Sequence, residues 1–63
     1  MNRVTIVITQ DSSNTYFLGI DLETGRKAFE DEVYTYEDGY DEGKHIADLC
    51  QRHNALLASI IYW

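Results

Sequence analysis

Hydrophobic and polar positions change period along this chain, and the changes lay out its elements. Val4-Thr5-Ile6-Val7-Ile8-Thr9 alternates β-branched residues of both polarities, which predicts a strand with Val4, Ile6 and Ile8 on its buried face. Residues 10–14 form a polar cluster in which Asp, Ser and Asn can bond their own backbone, so the chain turns there. A second strand is predicted over residues 16–22, with Tyr16, Leu18, Ile20 and Leu22 sharing one face. Thr24-Gly25 then supplies a tight hairpin turn. A two-residue loop at that point sets Leu22 opposite Lys27, Ile20 opposite Phe29 and Tyr16 opposite Val33. It also sets Leu18 opposite Asp31, and that mismatch leaves a bulged register as the alternative. The third strand is expected near residues 27–34.

A helical period follows. Thr35 can cap a helix while Asp38 reaches back three residues on, an imperfect capping box. At 100° per residue, Tyr36, Gly39, Gly43, Ile46, Ala47, Cys50 and His53 fall in one inward stripe, opposite Glu37, Asp41, Lys44, Asp48 and Arg52. This predicts a helix over residues 36–53, with the two stripe glycines allowing close approach to the sheet. A start at Asp41, after a turn at Asp38-Gly39, is the competing boundary. Asn54 suits the C′ position. The chain then runs Ala-Leu-Leu-Ala-Ser-Ile-Ile-Tyr-Trp, nearly all apolar, as a strand covers on both faces or meets another subunit with.

The order β-β-β-α-β implies a single α+β domain, with a mainly antiparallel sheet and one helix packed on one face. A crossover through the helix makes the last strand parallel to its neighbour, the first or the third strand. The other sheet face stays open, with Phe17, Leu57, Ile61 and Trp63 expected on it, a patch that suits a dimer or a docking surface.

Composition sharpens this picture. Sixty-three residues provide one core, and such a chain hides only about 60% of its unfolded surface. The N-terminal apolar run is too short for a signal h-region or a membrane span. The lone Cys50 excludes an internal disulfide and a Cys-rich zinc site, and points to a reducing, cytoplasmic home. A net charge of −6 argues against direct binding to phosphate backbones. It points instead to solubility, to a basic partner surface, or to imitation of a nucleic acid, and no membrane partner is expected.

The charge is concentrated. Residues 30–42 hold seven of the eleven carboxylates and three of the five tyrosines, with no basic residue. Glu37, Asp38, Asp41 and Glu42 have a structural reason to be acidic at the start of a helix, about 0.3–1 kcal/mol each. Glu30, Asp31 and Glu32 have less, because three successive acids on a strand must place one inward or at an edge. With Tyr34, Tyr36 and Tyr40 as aromatic anchors, all ten residues are candidates for contact with a larger, basic protein.

Other chemistry is sparse. His45 projects about 140° from Cys50 on a helix, so the two cannot share an ion. Cys50 and His53 lie on one face without a third group to orient them, which favours a core cysteine over a nucleophile. The segment Glu37-Asp38-Gly39-Tyr40-Asp41-Glu42 lacks EF-hand spacing. A domain this small leaves no room for a gated pocket of about 300 Å³. No catalytic, cofactor or metal residue is expected, and the chain reads as a non-enzyme.

The order of a first strand, a polar turn ending Asn14-Thr15-Tyr16-Phe17, two strands, then Thr35-Tyr36-Glu37-Asp38 opening a helix resembles the N-terminal domain of HicB-type antitoxins over residues 4–53. That family's Pro and Gly-Cys landmarks between its second and third strands are missing here, as is a DNA-binding extension, so the resemblance is one of topology. In size and acidity the chain also looks like the small proteins phages encode against host defence, anti-CRISPR proteins among them. These resemblances imply two readings. One is an inhibitor whose acidic, tyrosine-bearing surface occupies a basic, nucleic-acid-binding groove in the host cytoplasm. The other is an antitoxin-like or self-assembling module, a homodimer through residues 56–63.

Overall fold

In a computed structural model that describes all 63 residues, the chain forms β1 (Asn2–Gln10), β2 (Asn14–Asp21), β3 (Lys27–Tyr34), α1 (Glu42–Arg52) and β4 (Ala55–Tyr62). The four strands make one sheet in the order β3-β2-β1-β4. β1 pairs antiparallel with β2 and parallel with β4, and β2 pairs antiparallel with β3. The expected α+β domain is therefore present, and the last strand lies beside the first. The helix covers one face of this sheet.

β1 behaves as its alternation predicts. Val4, Ile6 and Ile8 are buried beneath the helix, where Ile46 and Leu49 meet them. Polar groups close the first turn: the Asp11 carboxylate accepts from the Ser13 and Asn14 amides at 2.9 and 2.7 Å.

β2 is turned over relative to expectation. Cross-strand partners point to the same side, and Ile6 and Ile8 pair with Gly19 and Phe17. Thr15, Phe17 and Gly19 therefore face the helix, with Phe17 only 1% exposed. Tyr16, Leu18 and Ile20 occupy the open face, while Leu22 lies in the following turn. Phe17, expected on the open face, is a core residue.

The second hairpin differs too. Residues 22–26 connect the strands, Gly25 takes a positive φ of 72°, and its amide donates to the Asp21 carbonyl at 2.8 Å. The register runs Gly19 to Phe29, Leu18 to Glu30, Phe17 to Asp31 and Tyr16 to Glu32, with a shift between Gly19 and Ile20. Leu18 thus avoids Asp31, and the bulged alternative holds. The reason is steric. A Cβ on Gly19 would lie 2.5 Å from the Phe29 ring, so the ring sits over the glycine and fixes the pairing. Close approach through a glycine occurs here, and not at the helix: Gly39 is in a loop and Gly43 is exposed.

The helix takes the later start. The Asp41 side chain accepts from the Lys44 amide at 3.1 Å as N-cap, and Gly39, at φ 78°, turns the chain before it. Residues 36–40 are not helical. Its buried side chains are Ile46 and Leu49; Ala47 is exposed and Cys50 half-buried. Shortening the helix rotates the choice of inner face toward Leu49, which the longer stripe leaves out. Asn54 closes the end at φ 52°. No helix is long and apolar enough to cross a membrane.

Candidate functional site

The alternation of β3 divides the acidic triplet. Phe29, Asp31 and Val33 turn toward the helix, and Glu30, Glu32 and Tyr34 toward the open face. Asp31 is taken up structurally there: its carboxylate lies 2.8 Å from His45 Nε2, a half-buried contact between β3 and α1. The His45 ring also packs against Phe17 at 4.8 Å.

On the open face the register builds two rows. One runs Glu30–Leu18–Val7–Ile61 across all four strands, and the other Glu32–Tyr16–Thr9 across three. Between them lies an open trough of about 580 Å³. Val7 and Leu18 form its apolar floor; Tyr16, Glu30 and Glu32 stand along its wall. Asn14 Nδ2 donates to Glu32 at 2.7 Å, and Lys27 pairs with Glu30 at 2.9 Å on the exposed edge. The Tyr16 hydroxyl donates to Asp11 at 2.7 Å. That bond, followed by the two backbone amides, lowers the Asp11 carboxyl below its usual range, and the same bond raises the Tyr16 phenol.

The remaining candidates separate into exposed and engaged groups. Tyr34 and Tyr36 meet edge to face at 5.9 Å, with Tyr36 70% exposed. Glu37 and Asp38 follow in an exposed turn and make no ion pair. Asp41 is the helix cap. Glu42 accepts from the Tyr62 hydroxyl at 2.9 Å, which raises that phenol's pKa. Tyr40 packs against the core, and its hydroxyl is buried without a hydrogen-bond partner. Burial raises its pKa first, and the Glu42 charge adds to that.

The fold thus gathers Glu30, Glu32, Tyr34, Tyr36, Glu37 and Asp38 along one edge and its following turn. It assigns Asp31, Tyr40, Asp41 and Glu42 to internal contacts. The sequence reading missed Val7, Thr9, Tyr16 and Leu18 as members of this surface. The signal lay in the parity of β2, where Thr15, Phe17 and Gly19 are the inward set.

Cys50 offers no activated thiol, because partial burial raises its pKa. The His53 ring stacks on Phe29 at 4.6 Å, with the planes 11° apart. No three metal-binding side chains converge. No family model matches the chain, and no curated protein or solved structure matches it either.

Proposed function

We propose that this protein is a non-enzymatic inhibitor that binds a basic surface of a larger protein through the open-face trough and the edge beside it. The observation that carries this reading is the pairing of an apolar floor, Val7 and Leu18, with carboxylates at Glu30 and Glu32. A lysine or arginine from the partner would lay its stem on the floor and its head against the carboxylates. Tyr34 and Tyr36 would flank it as aromatic anchors, and Glu37 and Asp38 would extend the negative charge. In its sharper form, these carboxylates stand where phosphates would in a nucleic-acid-binding groove, as in phage proteins directed against host defence, acting in the host cytoplasm.

Affinity capture from the native host with the protein and its Glu30→Lys/Glu32→Lys variant tests this reading. A partner released between low and moderate salt, and absent with the variant, is the expected result. Equal capture by both forms would sink the proposal, as would binding indifferent to salt.

A further inference from the structure

We infer that β4 pairs with β4 of a second copy about a two-fold axis, joining two four-stranded sheets into one of eight strands. β4 is hydrogen-bonded to β1 on one side only, so its other side presents unpaired backbone groups. It is eight residues long, has no charge and no proline, and seven of its residues are exposed. The protein lacks the usual edge protections along this strand except for a single bulge.

That bulge fixes the register a second copy would take. Leu57 pairs with Val4 and Ser59 with the adjacent Thr5, so Ala58 is an extra residue and the alternation reverses across it. The face assignments are fixed independently at three places. Ala55 is buried, the Tyr62 hydroxyl reaches Glu42 on the helix side, and the Ser59 hydroxyl lies 2.7 Å from Thr5 Oγ1 on the open side. Leu57 and Ile60 consequently share the helix face, while Leu56 and Ile61 share the open face. In a regular strand, residues an odd number apart would point to opposite sides. Here a two-fold axis between Ala58 and Ser59 sets Leu57 opposite Ile60 of the second copy and Leu56 opposite its Ile61, each pair on one face. The strand is thus complementary to itself, apolar residue against apolar residue on both faces, which is what a two-fold interface requires.

Charge permits it as well. Two chains of −6 repel, but β3 and β4 are opposite edges, three strand spacings or about 14 Å apart. In the joined sheet the two acidic β3 strands stand about 34 Å apart, well beyond the ~8 Å screening length at physiological salt. A standard interface takes about 800 Å² from each partner, roughly a fifth of this molecule's 4398 Å². One edge strand gives less, so dissociation near the micromolar range is expected.

Sedimentation from low micromolar to millimolar protein should show a monomer passing to a dimer of twice the 7.3 kDa chain mass. Leu56→Lys and Ile61→Glu, each at a half-exposed position, should weaken dimerisation by at least about tenfold at unchanged far-UV CD. Mixing the two variants should restore a heterodimer, because this register brings the new lysine and glutamate together. In the unmodified protein, β4 amide exchange should slow with concentration while β3 exchange does not, a readout that needs no variant. A monomer at every concentration overturns the inference, and so does a dimer that leaves β4 amides unprotected.

Discussion

The two edges of this sheet have the same length and opposite characters. β3 and β4 each span eight residues. β3 carries Lys27, Glu30, Asp31 and Glu32 and closes its helix side with Phe29 and Val33. β4 carries no charge and exposes Leu56, Leu57, Ile60, Ile61 and Tyr62. Charged side chains on an edge discourage further strand pairing, and their absence invites it. The two edges therefore offer different surfaces: charged side chains at β3, and unpaired backbone with apolar side chains at β4.

The largest break in this comparison should come from the core that both edges share. Phe29→Ala empties the ring space over Gly19 and should cost about 3–5 kcal/mol. In so small a domain that is comparable with the whole stability. Chemical denaturation should find β3 and β4 lost together; a variant that keeps β4 protected from amide exchange would mean the edges are separate units. Gly19→Ala approaches the same contact from the other side, with a new methyl 2.5 Å from the ring, and should cost about 1–3 kcal/mol.

A smaller effect isolates the tie between β3 and the helix. His45→Ala removes the partner of Asp31 and should lower stability by about 1 kcal/mol in urea titration. Smaller still, Glu30→Lys/Glu32→Lys should leave stability within about 0.5 kcal/mol, since both groups are exposed. The contrast between that silence and lost partner binding would sharpen the assignment of β3 as the electrostatic edge.

The slightest effects follow from proton linkage at exposed groups. Tyr16 and Tyr62 have raised pKa values, so their hydrogen bonds to Asp11 and Glu42 stabilise the fold below pH 10 and are lost as pH rises through the folded values. Asp11 is lowered, so its contribution holds above about pH 3.8 and fades as pH falls below it. Thermal melts should therefore decline at both extremes. Tyr62→Phe should flatten only the alkaline limb at the β4 end, and Tyr16→Phe should flatten the alkaline limb and weaken the acid one.

Much of the fold was legible in the sequence. The element order, the Lys27–Tyr34 bounds of β3, the inner face of β1 and the αL residue Asn54 follow from local pattern and backbone preference. That three successive acids must place one inward or at an edge was also legible; β3 is an edge strand, and Asp31 turns inward. The helix start was ambiguous, because Thr35 and Asp41 are both acceptable caps. The site was less legible than the fold. Ten residues in one stretch were candidates for contact, four of them credited to a helix start. Yet Glu37 and Asp38 lie before the helix, and a cap, a tyrosine hydroxyl, a histidine and the core engage Asp41, Glu42, Asp31 and Tyr40.

By itself, the sequence determined the order of strands and helix and that negative charge gathers before the helix, because periodicity and composition are local. It could not determine the parity of β2, where Tyr16, Leu18 and Ile20 compete with Phe17 on opposite faces. Tertiary structure decided that by packing Phe29 onto Gly19 and pairing Phe17 with Ile8, since only one register satisfies both contacts. A shift of one residue exchanges every side chain between the faces. The same choice made the trough, and it set Glu30 and Glu32 at the exposed surface while Asp31, Asp41 and Glu42 bond to groups on or beside the helix.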